Sequence, residues 1–180
     1  MKLIFVRHGQ TDFNKNNLPQ GQEIDAPLNE TGIAQAEETA KALPNHIDLI
    51  IASPMKRASQ TAEILNKRFN KKIELNDDIK ELRYGSLAGI PWPQIAEIMG
   101  DKDVKEKDEN ITFDYSKFGG DSAEDLKRRV ARFVDEVKEK YPTKTILVAA
   151  HGGVIDAMHI LFPQTERTAT DNATIHVFTF

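Results

Sequence analysis

The sequence has no cysteine. That excludes disulfides, a thiol nucleophile and thiolate metal sites. Long apolar stretches are also missing. The opening MKLIFVRHG holds only the short run Leu3 to Val6 before Arg7, too short for the apolar region of a secretory signal. No segment approaches the roughly 20 apolar residues that cross a bilayer. Charge of one sign does not dominate either: 24 Lys and Arg face 28 Asp and Glu, for a net charge of -4. No basic field points to nucleic acid or to an anionic membrane, so neither is expected as a partner. The cytoplasm is the expected location, in the absence of any address. Repeats, low-complexity tails and Pro- or Gly-rich linkers are lacking too. The remainder, 180 residues of which 39% are hydrophobic, fits one domain over 1–180 with a substantial core.

Short apolar runs alternate with helical patterns. Lys2 to Val6, Ile47 to Ala52 and Thr145 to Ala150 read as buried strands, and Thr174 to Phe180 as a last strand. Asn29 can cap a helix with Ile33, Ala36, Ala40 and Leu43 on one face and Pro44 beyond its end. Ser53 followed by Pro54 reads as a cap with proline at the first helical position. The helix after it carries Ala58, Ala62, Leu65 and Phe69 at helical spacing. Ser122 and Asp125 form a variant capping box, opening a long helix whose core face is Leu126, Val130, Phe133 and Val137. Such alternation predicts an α/β layered fold with a mainly parallel sheet. The segment from about Pro91 to Phe118 fits less well. Its charge run Asp101 to Asn110 reads as a solvated loop or frayed helix, with a cover over a pocket as the alternative.

Two short motifs follow predicted strands: Arg7-His8-Gly9 and His151-Gly152-Gly153. Ligands of open α/β sheets bind at the carboxyl ends of the strands, so both histidines should stand on one rim. The adjacent glycines allow close approach of a ligand to the backbone. Arg57, in the first turn of the helix after Ser53, adds a planar fork suited to two phosphate oxygens. That helix's N-terminus itself favours an anion. Alone, each is explained as readily by a structural histidine or a solvated arginine. His46, His159 and His176 are assigned to that ordinary class, and Trp92 reads as a packing residue.

RHGQTDFN at Arg7 to Asn14 resembles the signature of the histidine phosphatase superfamily, also called the phosphoglycerate mutase-like family. QGQEIDAPLNETGIAQA from Gln20, SPMKRASQTAEIL from Ser53 and IKELRYGSLAG from Ile79 resemble its further blocks. FGGDSAED from Phe118 and AHGGVI from Ala150 complete six blocks in the family's order. Gln10 and Asp121 stand where Glu is frequent, and both keep a polar acceptor. The resemblance implies a three-layer α/β/α sandwich with a mostly parallel central sheet. It further implies a phosphohistidine on His8, with Arg7, Arg57 and His151 around the transferred phosphoryl group and Glu81 as general acid. Asn14, Gln20, Gly21 and Gly152 match positions that contact substrate. No metal or other cofactor is implied.

The expected activity is hydrolysis of phosphate monoesters of small phosphorylated metabolites. A phosphoglycerate mutase would use the same site, but needs extra cations for a second anionic group. Ile90 to Phe118 holds Lys102, Lys105, Lys107 and Lys117 but no Arg, which favours the phosphatase. A binding module without catalysis is the alternative of another class. It is disfavoured because Arg7, His8, Arg57 and His151 are all present.

Overall fold

Five strands form one sheet in the computed structural model, which describes residues 1–164 and 169–180. They are β1 (Lys2–Arg7), β2 (Leu49–Ala52), β3 (Ile73–Leu75), β4 (Thr145–Ala150) and β5 (Ile175–Thr179), in the order β3-β2-β4-β1-β5. Only β5 runs antiparallel, paired to β1 at the edge. The central strands are apolar along their length because both faces are covered. Alternation sends Leu3, Phe5, Ile146 and Val148 into one core and Ile4, Val6, Leu147 and Ala149 into the other. The result is the expected three-layer sandwich.

The helices are α1 (Asp12–Lys15), α2 (Glu30–Ala42), α3 (Lys56–Asn66), α4 (Trp92–Met99), α5 (Val104–Glu109), α6 (Ala123–Lys140) and α7 (Gly152–Leu161). α6 and α7 cover the face of Leu3 and Phe5; Leu43 after α2 and Ala62 and Leu65 of α3 cover the other. The capping box of Ser122 and Asp125 forms as expected. Its helix buries Leu126, Val130, Phe133 and Val137. Asn29 caps α2 by accepting from the Gly32 amide at 2.9 Å.

Three local expectations are corrected. Ile33 is 43% exposed. The buried positions of α2 are Gly32, Ala36 and Thr39 instead, because the helix start is pressed against the loop after β1. A Cβ on Gly32 would lie 2.1 Å from the Gln10 carbonyl oxygen, and one on Gly9 2.3 Å from that of Gly32. The cap position of α3 is Met55, not Ser53; the serine hydroxyl turns inward to a histidine. The charge run is solvated as expected but is not a loop throughout. Its residues Val104 to Glu109 form α5, anchored by buried Val104, with Ile111, Phe113 and Tyr115 packing into the same core. β3 was not foreseen.

Register sets the functional rim. Arg7 pairs with Ala150 across β1 and β4, and Ala52 with Ala149 across β2 and β4. His8, Ser53 and His151 are therefore the next residues at three adjacent strand ends. The His8 amide donates to Ala150 O at 2.9 Å and the Ser53 amide to Ala149 O at 3.0 Å.

Candidate active site

The two imidazoles lie 5.3 Å apart, centre to centre, and both are buried. Their outer contacts use opposite nitrogens, Nδ1 in His8 and Nε2 in His151. His8 Nδ1 is 2.7 Å from the Gly9 carbonyl oxygen. A carbonyl only accepts, so Nδ1 carries the proton and Nε2 the lone pair. His151 Nε2 is 2.8 Å from Ser53 Oγ, which already accepts from the Met55 amide at 3.4 Å. With the serine proton donated to Nε2, the ring carries its own proton on Nδ1. That Nδ1 is buried without a protein partner. Burial, with Arg57 and Arg7 behind it, pushes His8 well below the usual imidazole range. Burial, followed by Arg57 and His8, does the same to His151. Both rings are neutral near pH 7.

Arg57 is 1% exposed. Its Nη1 donates to Ile24 O at 3.0 Å and its Nη2 to Gly21 O at 2.9 Å. These bonds lock the guanidinium plane while its Nε stays unpaired. Arg7 Nη1 donates to Thr170 O, and Arg7 Nε is likewise buried and unpaired. Burial lowers both guanidinium groups from their ordinary range, and Glu81 is the largest charge opposing that shift in each. Two cations and one imidazole N–H with unspent donors make a site for a multiply charged oxyanion. The start of α7, at Gly152, adds the positive end of a helix beside it. The start of α3 does not serve so freely, because Lys56 N donates to Asp25 at 2.7 Å.

Glu81 reaches the same cavity of about 700 Å³. It accepts from the Leu82 amide at 3.0 Å and the Gly153 amide at 3.4 Å. Burial raises its carboxyl above the ordinary range against the pull of Arg57 and Arg7. Gly153 makes the space: a Cβ there would sit 2.6 Å from Glu81 Oε1. Asn14, Gln20, Gly21 and Gly152 also line the cavity, so eight of the nine predicted positions line it, and His151 packs against His8 beside it. Asn14 Oδ1 accepts from the amide and hydroxyl of Thr11, the cap residue of α1, and Gln20 Oε1 is buried without a partner. His46 is exposed, and His159 and His176 bond to each other at 2.9 Å away from the cavity lining.

Some lining residues were not foreseen. Asn172 Nδ2 donates to the His8 carbonyl at 3.0 Å, bracing the strand end from a distant stretch of sequence. Trp92 packs edge-on to Tyr84 at 6.0 Å, as a packing residue would, yet both also face the cavity. Asp108 of α5 lines it too. Among the described residues, no group of three or more His, Asp and Glu could hold a metal ion. No helix among them is long and apolar enough to cross a membrane.

Known proteins resemble this chain. A protein of Bacillus subtilis named as an uncharacterized phosphatase, PhoE, is 37% identical over 157 residues, 87% of this chain and 74% of its own length. A metal-independent phosphoserine phosphatase of Arabidopsis thaliana is 31% identical over 172 residues, covering 91% of this chain and 69% of the plant protein. The solved structure of a mycobacterial glucosyl-3-phosphoglycerate phosphatase with VO3 superposes with a TM-score of 0.85 at 26% identity, over 99% of this chain and 92% of that one. The sequence pattern that unites such enzymes matches residues 3–180, and the chain belongs to the histidine phosphatase superfamily, branch 1.

Proposed function

We propose that this chain hydrolyses monophosphate esters of small metabolites by passing the phosphoryl group through His8 Nε2. The observation that supports the reading is the pair of buried imidazoles 5.3 Å apart: His8 bonds through Nδ1 and so keeps a lone pair on Nε2, and His151 bonds through Nε2 with its Nδ1 left without a protein partner. His8 Nε2 attacks phosphorus and the ester oxygen leaves. Arg7, Arg57 and His151 Nδ1–H hold the equatorial oxygens, where charge collects in a loose transition state. Glu81, protonated through burial, gives its proton to the leaving oxygen and then takes one from the attacking water. Water's oxygen bonds to phosphorus as the His8 bond breaks, returning free imidazole and phosphate. Asn14, Gln20, Gly21 and Gly152 contact the substrate from the cavity wall, and the 91–118 segment caps a single domain.

Relatives named for phosphoserine and glucosyl-3-phosphoglycerate support small phosphorylated substrates. A mutase is disfavoured by the cap: of its four lysines only Lys105 reaches the cavity, and Lys107 is paired to Asp101. The test is incubation with a radiolabelled ester followed by acid or alkali treatment. The unsubstituted protein should carry acid-labile, alkali-stable label and turn over in excess chelator. His8→Ala should do neither, and label retained in that variant would overturn the assignment.

A further inference from the structure

Arg7, His8, Arg57 and Glu81 line the phosphate end of the cavity. The leaving group of an ester bound there extends toward the lining residues of α4 and α5, Trp92 and Asp108 among them. Asp108 projects into the cavity from α5, and Asp156 from α7 is a like charge nearby. The lysine that reaches it, Lys105, is 3.8 Å from Glu109 and half exposed.

Asp108 is held in an unusual way. Tyr84 Oη donates to both of its oxygens at 3.1 Å, and Tyr115 Oη donates to Oδ1 at 2.9 Å. Both tyrosines are buried, so the carboxylate is fixed but not neutralised. Among the described residues no Lys or Arg lies within ion-pair distance of it. Burial, helped by Glu81 and Asp156, pushes Asp108 up to about 7. A carboxylate taken out of water normally has a cation beside it. Here the position facing Asp108 is open cavity, and the rings of Tyr84 and Trp92 line the same space. An aromatic wall beside a fixed carboxylate is the environment that selects an ammonium group over a hydroxyl or carboxylate.

Resting on the phosphatase reading above, we propose that Asp108 is the specificity determinant for the leaving group, and that the preferred substrates are amino alcohol monophosphates whose ammonium group sits between Asp108 and the Tyr84 and Trp92 rings. The ester oxygen stays at Glu81, and the ammonium takes no part in bond making. Phosphoglycerates, whose leaving group is anionic, are the disfavoured class.

The experiment compares kcat/KM for phosphoethanolamine, glycerol 3-phosphate and 3-phosphoglycerate at one pH, with 4-nitrophenyl phosphate as a reference for turnover. The order expected is ammonium, then hydroxyl, then carboxylate, with phosphoethanolamine ahead of glycerol 3-phosphate by about tenfold or more, the size of a charge-assisted hydrogen bond. Asp108→Asn keeps the shape and can still accept from both tyrosines, so the ratio within that variant isolates the charge. The ratio should collapse toward equality, with KM for phosphoethanolamine rising most. If the aryl ester turns over while phosphoethanolamine shows no advantage, or if the ratio survives in Asp108→Asn, this inference is wrong and the phosphatase reading stands. If no ester including the aryl reference is hydrolysed, both fall together.

Discussion

Replacing Ser53 by alanine removes one oxygen from a buried position between two strand ends. Ser53 and His151 are both fully buried, and Ser53 Oγ is the protein partner of His151 Nε2, at 2.8 Å. Two responses are open to the ring. It can keep its proton on Nδ1, leaving Nε2 buried and unsatisfied, which costs about 1–3 kcal/mol of stability. Or it can move the proton to Nε2, which turns the lone pair of Nδ1 toward the phosphoryl oxygens. The second response deletes a transition-state donor, and loss of one such donor lowers kcat by about 10² to 10³. We therefore expect Ser53→Ala to fold, to lose about 1–3 kcal/mol in chemical denaturation, and to hydrolyse 4-nitrophenyl phosphate with kcat reduced by about two orders of magnitude or more. Imidazole nitrogen shifts from NMR separate positioning from mere packing. The unsubstituted protein should show a protonated Nδ1 on His151 and the variant a mixture or the reverse. A folded variant whose kcat and imidazole shifts match those of the unsubstituted protein would refute the assignment of the His151 proton.

Glu81→Gln should slow alkyl phosphates by about 10² to 10⁴, the range of general acid catalysis, while activated aryl esters, which need no proton on departure, slow far less; equal slowing would argue against Glu81 as the acid. Because the acid must be protonated and its carboxyl is raised by burial, alkyl ester hydrolysis should fall as pH rises through that shifted value, and the alkaline limb should vanish in Glu81→Gln. Gly153→Ala should displace the Glu81 carboxylate, from which its Cβ would stand 2.6 Å, at a stability cost of about 1–3 kcal/mol; leaving-group dependence should move toward that of Glu81→Gln, and an unaltered dependence would mean the carboxylate is not confined there. Phe133→Ala, which empties a buried site edge-on to Phe5 at 6.2 Å, should cost about 3–5 kcal/mol in denaturant unfolding; a loss well below that would show that the core collapses around the gap.

What could be read from the sequence follows how far each signal was local. β1 and β4 were legible because strands covered on both faces are apolar throughout. The box at Ser122 was legible because a cap is set by residues three apart. β3 was missed because Ile73–Leu75 is a short edge element with little burial of its own, so its residues carry no pattern. Ser53 was misread for a different reason. A serine before proline is a good cap in isolation, and only the register of β2 against β4 reveals that its hydroxyl meets a histidine 98 positions away. Asp108 was invisible because nothing about a carboxylate inside a charge run distinguishes it from Asp103 or Glu106. The distinction comes from Tyr84 and Tyr115, brought to it by the packing of the cap. Local chemistry thus gave the phosphate end of the site, and tertiary packing gave the end that sorts substrates.

The charges at the phosphate end are coupled in a way that orders the proposed reaction. Burial, with Arg57 and Arg7 adding to it, holds His8 neutral, which keeps a lone pair on Nε2 at pH values where a solvated imidazole is largely protonated. The same two cations pull the Glu81 carboxyl downward while burial pulls it up. An arriving phosphate dianion spends the guanidinium charge on its own oxygens and is a like charge to Glu81. Both effects drive Glu81 toward its protonated form. Reciprocity then requires that a protonated Glu81 binds the dianion more tightly than an ionised one. Substrate binding therefore loads the acid that the leaving group needs. Departure of phosphate unloads it, so the proton is present in the complex where the ester bond breaks and is given up when the site empties.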